Sequence, residues 1–133
     1  IVHFSGHGSG VDGIVLHDES GGDRLVTASA LKRLFSVMKD DIRVVVLSAC
    51  YSAEQAREIA TVVDAVVGMS DSIGDEAARA FAAAFYRALG FGRSLQNAFE
   101  QGLAAMDLEG HGDTDVPVLL VRTGVDATKL VLV

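Results

Sequence analysis

Residues 43–52, R-V-V-V-L-S-A-C-Y-S, constrain the fold more than any other stretch of the chain. Positions 44–47 form a continuous apolar run rich in β-branched side chains, which is typical of a strand buried on both faces of a parallel sheet. Gln55 follows Ser52 by three positions, a spacing that predicts a capping box at the start of a helix over residues 53–61. We therefore expect an α/β architecture.

Cys50, the single cysteine of the chain, lies between the end of this strand and the start of this helix. In open α/β sheets ligands bind at the edge where the strands end. The partial positive charge at a helix start also favours a thiolate over a thiol. Cys50 is therefore a candidate nucleophile, and the open alternative is that it is a small buried apolar residue.

A second candidate group lies near the start of the sequence, where a strand over residues 1–5 is followed by Gly6-His7-Gly8. Alternating glycines after a strand suggest a phosphate-binding loop, but such loops open onto a helix. Here the next residues, 13–17 and 25–26, predict a β-hairpin, which argues against that interpretation. What remains is a histidine at the end of a strand, and a surface turn with an incidental histidine is the alternative.

The other elements have ordinary packing patterns. Thr27 can cap a helix whose apolar face carries Leu31, Leu34, Phe35 and Met38. A strand at 65–69 completes a βαβ unit with the strand before Cys50. Two more amphipathic helices are predicted, beginning near position 75 and after position 94, then a strand at 117–121 and an edge strand at 129–133.

Composition narrows the possible environments and partners. The net charge of −7 argues against a surface for nucleic acid or an anionic membrane. A single cysteine cannot form an internal disulfide, which favours a reducing compartment, and no apolar run approaches the length needed to span a bilayer. We expect a cytoplasmic protein without a cofactor. The acidic stretch 107–115, which contains His111, could hold a cation but lacks the pattern of a calcium loop, so a solvated connection is favoured over a metal site.

His7 and Cys50 each follow a strand, and the two side chains would meet if those strands are neighbours. A thiolate and an imidazole are what acyl transfer requires: the sulfur attacks a carbonyl and the histidine protonates the leaving amine. The backbone amides of Gly8 and Cys50 are then expected to form an oxyanion hole. Together these residues predict a nucleophilic hydrolase.

The motifs H-F-S-G-H-G and L-S-A-C-Y-S resemble the CHAT family of caspase-like cysteine peptidases, and the resemblance continues through V-V-G-M-S-D-S-I-G-D-E-A and F-Y-R-A-L-G-F-G-R-S-L-Q-N-A-F. It implies that His7 and Cys50 form the catalytic dyad and that His3 is a strand residue near the site. It also implies a three-layer caspase-like fold with a mostly parallel central sheet and helices on both faces. By that pattern the first strands are missing, and residues 1–133 form a single domain covering its C-terminal portion.

The same resemblance implies a cysteine endopeptidase that acts on a protein substrate, as a regulated effector in a bacterial multidomain protein with tetratricopeptide-repeat or other regulatory domains. Relatives that cleave after basic residues place an acid in the substrate pocket. Ser48 occupies one such position here, and Asp71 and Asp75 are the acidic candidates for substrate binding. The alternative function is a regulatory or scaffold domain that acts by binding protein without catalysis.

Overall fold

The computed structural model describes residues 1–8, 13–17, 20 and 22–133, and at positions 7, 8, 17 and 23 it describes the backbone alone. The strands within these residues are β1 (Val2–Ser5), β2 (His7–Gly8), β3 (Ile14–His17), β4 (Asp23–Val26), β5 (Val44–Ser48), β6 (Ala65–Met69) and β7 (Pro117–Val121). The helices are α1 (Ala28–Met38), α2 (Ala53–Ile59), α3 (Asp75–Gly90) and α4 (Leu95–Leu108).

The main sheet has four strands in the order β1-β5-β6-β7. β1, β5 and β6 run parallel, whereas β7 pairs antiparallel with β6. Residues 44–47 of β5 are almost completely buried, because the strand lies inside the sheet and helices cover both of its faces. The predicted mixed α/β fold with a mostly parallel sheet, consistent with a caspase-like architecture, is confirmed.

Alternate residues of β5 enter two different cores. Val44 and Val46 pack on the side of α3 and α4, whose stripes of Phe81, Phe85 and Phe99 fill that core. Their neighbours along the strand pack on the opposite side, with residues of α1 and α2. The helices therefore lie on both faces of the sheet, as expected.

The second sheet is small and antiparallel, with the order β2-β3-β4. The hairpin predicted after the glycine-rich stretch is confirmed as β3 and β4, with Ile14 opposite Val26. The sequence pattern suggested a loop at His7, whereas the backbone of His7 and Gly8 pairs with β3. Residues 9–12, including the rest of the glycine-rich stretch, lie outside the described residues.

The prediction that four apolar residues of α1 are all buried was wrong for two of them. On α1, Phe35 is buried and Leu31 is partly buried, but Leu34 and Met38 are 52% and 41% exposed. Leu34 and Met38 therefore lie on a solvent-exposed flank of α1, and the apolar spacing overstated how much of the helix is covered.

The edge strand predicted at 129–133 does not form. Instead the carbonyl oxygens of Ala127 and Leu130 accept hydrogen bonds from the backbone amides of Gln96 and Leu95, at 3.1 and 2.8 Å. The amides of a first helical turn have no partner inside their own helix. The C-terminal segment therefore supplies hydrogen-bond acceptors to the first turn of α4 and does not extend the sheet.

Close packing fixes α2 against β6. A Cβ atom built on Gly68 of β6 would lie 2.7 Å from the Cβ of Ala56, so the helix approaches the strand to a distance that only small residues allow. Because α2 begins directly after the turn that carries Cys50, this contact also limits where the turn can lie.

Ser52 does not form the predicted capping box. Its side chain is fully buried and makes no capping hydrogen bond to α2. The hydroxyl donates to the carbonyl oxygen of Leu47 at 3.1 Å and accepts from the amide of Met69 at 3.0 Å. Ser52 thus links the ends of β5 and β6, two residues after Cys50.

We predict that Ser52→Ala lowers the free energy of unfolding by about 1–3 kcal/mol, because it leaves two buried backbone groups without their hydrogen-bond partner. Urea unfolding followed by circular dichroism measures this loss. The matched control is Ser36→Ala at an exposed position on α1, which should change stability by no more than about 0.5 kcal/mol. Equal stability of the two variants would contradict the bridging role.

Candidate active site

The ends of β1 and β5 lie side by side, because the two strands are parallel neighbours with Ser5 opposite Ser48. The amide of Gly6 donates to the carbonyl oxygen of Ser48 at 3.3 Å, which continues the pairing beyond the strand end. The backbone of His7 follows immediately on one strand, and Cys50 follows on the other. The expectation that the two strands are neighbours is confirmed, while the imidazole of His7 lies outside the described side chains.

Cys50 is half-buried, and its sulfur contacts the connection between β6 and α3. The amide of Ile73 donates to Sγ at 3.5 Å, and Sγ lies 3.9 Å from the carbonyl oxygen of the same residue. These contacts to one backbone segment restrain the position of the thiol at the edge of the sheet.

The residue after Cys50 has an unusual backbone conformation. Tyr51 has a φ of 59°, in the left-handed region that a residue with a side chain adopts at a cost of about 1–2 kcal/mol. Its amide donates to the carbonyl oxygen of Asp71 at 3.2 Å. The next residue, Ser52, is fixed by its two side-chain hydrogen bonds to Leu47 and Met69. Such strain persists where surrounding contacts impose it, and it occurs often at functional sites.

A cavity of about 360 Å³ reaches Cys50 from the α3 side of the sheet. This volume falls within the range of small-ligand sites. Its apolar wall includes Ile73, Ala78 and Ala82. The polar side chains that line it are His3, Ser5, Ser48, Cys50, Asp75 and Arg79.

Two of the three residues expected to bind substrate therefore lie at this cavity, together with Cys50. Ser48 is half-buried at the end of β5, and Asp75 is an exposed first residue of α3. Asp71 does not line the cavity: its carboxylate accepts from the amide of Ser72 at 2.7 Å, and its carbonyl oxygen holds Tyr51. The structure thus places Asp71 in the loop that supports the turn at Cys50.

His3 lies on β1 and lines the cavity, as expected for a strand residue near the site. Its Nδ1 is hydrogen-bonded to the hydroxyl of Tyr86 at 2.7 Å, and the two ring centroids are 5.6 Å apart. Burial lowers the pKa of His3 and raises the pKa of Tyr86 to about 12. At neutral pH both groups are therefore uncharged.

Sequence reasoning missed Arg79 and Tyr86. Arg79 follows Asp75 by four positions, which places both on one face of α3, and this spacing was the available signal. Tyr86 directly follows Phe85 within an apolar stretch, so its contact with a histidine on β1 could not be recognised from helical periodicity.

The described residues also bear on metal binding and on membrane spanning. No group of three or more His, Cys, Asp or Glu side chains there could hold a metal ion. Position 107 of the acidic stretch belongs to α4, and the amide of His111 donates to the carbonyl oxygen of Met106 at 2.9 Å. No described helix combines the length and apolar character needed to cross a membrane.

A cysteine and a His-Gly backbone segment follow two neighbouring parallel strands at one edge of the α/β sheet, which is consistent with a caspase-like architecture. The family model described as CHAT domain matches residues 1–111 of the 133-residue chain. The chain therefore belongs to the CHAT domain family, which is related to caspase-like peptidases. No curated protein sequence matches the chain.

The His3 environment gives a testable pH dependence. Because the folded-state pKa is lowered, the unfolded chain binds a proton on His3 more readily. The stability that depends on neutral His3 is present above pH 6.5 and is lost as the pH falls through the folded-state pKa. We predict that the His3 Cε1–H resonance, assigned by its absence in His3→Gln, titrates below pH 6.5 in NMR spectra.

The loss of stability between pH 7 and 5 should also be smaller in His3→Gln, and the difference should be modest because the imidazole is only partly shielded from solvent. Titration of His3 at or above pH 6.5 would contradict the predicted effect of burial.

Proposed function

We propose that the protein is a cysteine endopeptidase in which Cys50 is the nucleophile and His7 is the general acid and base. The observation that supports this most directly is the pairing of β1 with β5, which brings the His-Gly backbone and the Cys50 turn to one edge of the sheet. A cavity reaches the thiol at that edge. Membership of a peptidase-related family adds independent support.

In the proposed reaction His7 takes the thiol proton, and the sulfur of Cys50 attacks the carbonyl carbon of a peptide bond. The amides of Gly8 and Cys50 stabilise the negative charge that develops on the carbonyl oxygen. His7 then protonates the leaving amine, and a thioester remains on Cys50. Water, deprotonated by His7, cleaves the thioester to a carboxylic acid and regenerates the thiol.

The substrate in this proposal is a protein, and Ser48 and Asp75 lie beside the substrate residue whose peptide bond is cleaved. Asp71 contributes by supporting the turn at Tyr51. The family resemblance extends the proposal to a regulated cytoplasmic effector in a bacterial multidomain protein, controlled by tetratricopeptide-repeat or other regulatory domains.

A second candidate function is a scaffold or regulatory domain that binds protein without cleaving it. One observation favours it: both polar groups of the Ile73 backbone already contact Sγ of Cys50. A thiol that is held by its own chain in this way could be structural. The two functions differ in whether Cys50 reacts with substrate.

The test is cleavage of a proteome-derived peptide library, with new amino termini identified by mass spectrometry. We predict that the wild type produces cleavage sites and that Cys50→Ala abolishes them. His7→Ala should lower the rate by about 10²–10⁴, the usual contribution of a general acid and base. His111→Ala, at a half-buried position after α4, is the matched control and should cleave at close to the wild-type rate.

Cleavage that persists in folded Cys50→Ala would contradict the proposal. Folded wild-type protein that binds peptides and cleaves none of them would favour the scaffold function.

A further inference from the structure

The cavity beside Cys50 contains one acidic and one basic side chain on the same helix. Asp75 is the first residue of α3, and Arg79 lies one turn further along. Residues four apart face the same way on a helix, with the acid nearer the amino end in the favourable order. Within the described part of the chain neither residue forms an ion pair, so both charges are available to whatever occupies the cavity.

The two charges offset each other. A basic substrate side chain would be attracted by Asp75 and repelled by Arg79, and an acidic one would meet the reverse. In either case the entering charge would lose part of its hydration, and one attraction opposed by one repulsion from solvent-exposed groups does not recover that cost. The lowered pKa of His3 keeps its imidazole neutral at pH 7, so His3 does not change this balance.

The rest of the cavity suits a group without charge. Ile73, Ala78 and Ala82 supply apolar contact, and the hydroxyls of Ser5 and Ser48 offer hydrogen bonds at the strand ends. An uncharged side chain can use both kinds of contact without the desolvation cost of an ion.

We propose that this cavity selects an uncharged substrate side chain immediately before the cleaved bond, and that Arg79 is the residue that prevents Asp75 from selecting a basic one. This inference rests on the proposed peptidase function and names the substrate class of the same site. It also changes the role expected for Asp75, which on sequence alone was a candidate for binding a basic residue. Arg79 and Asp75 act as a pair in specificity.

The experiment measures how fast peptidyl acyloxymethyl ketones label Cys50 in the purified protein. The sulfur displaces the carboxylate leaving group and forms a thioether, which mass spectrometry locates on Cys50. Four probes differ only in the side chain next to the ketone: leucine, glutamine, lysine and aspartate. Labelling requires the nucleophile and the cavity but no turnover.

We predict that the leucine and glutamine probes react at least about fivefold faster than the charged probes, because Asp75 and Arg79 together give a charged side chain no net attraction. Arg79→Gln should raise the lysine rate relative to leucine by about five- to tenfold, because Asp75 then acts alone. Asp75→Asn should raise the aspartate rate relative to leucine in the same way.

Glu76→Gln and Arg87→Gln are the matched controls. Both remove a charge from α3, and both residues border the separate cleft between α3 and α4 rather than the Cys50 cavity. Arg79 borders that cleft as well, so Glu76→Gln also tests whether Glu76 attracts the guanidinium of Arg79 away from the Cys50 cavity. We predict that neither control changes the ratios between the probes.

The possible failures are distinguishable. Faster labelling by a charged probe in the wild type, or unchanged ratios in both Arg79→Gln and Asp75→Asn, would overturn the inference and leave the peptidase function standing. Absence of labelling at Cys50 by all four probes would contradict the peptidase function, and the inference with it.

Discussion

The parallel pairing of β1 with β5 is the constraint on which the rest of the site depends. In a parallel pair both strands end at the same edge, so residues that follow them are brought together whatever their separation in sequence. The buried residues 44–47 of β5 fix this pairing, because each of them enters one of the two cores and a shift by one position would exchange the faces.

Local contacts then refine the position of Cys50. Ser52 links β5 to β6, Gly68 admits α2 close to the sheet, and Tyr51 takes a left-handed conformation between them. The backbone amide and carbonyl oxygen of Ile73 contact the sulfur of Cys50 as well. The turn is thus over-determined, which is how a strained residue next to a candidate nucleophile is maintained.

Much of this was predictable from residues whose role is local. Thr27 and Ser94 cap their helices as expected, each accepting a backbone hydrogen bond, and the β-branched run of β5 is buried as expected. Periodicity could not show that Leu34 lies on an uncovered flank, because that depends on which elements pack nearby. The bridge made by Ser52 and the placement of Arg79 at the cavity are also tertiary facts, which spacing along the chain does not encode.

Activation of Cys50 by His7 can be measured as the pH dependence of Cys50 alkylation by iodoacetamide. His3 is a second imidazole at the same cavity, so the wild type should be compared with His7→Ala and His3→Ala. We predict rapid labelling at pH values well below about 8.5, the ordinary thiol range, and we expect it to be lost in His7→Ala and retained in His3→Ala. Slow labelling that does not change in His7→Ala would contradict this activation and identify Cys50 as a structural residue.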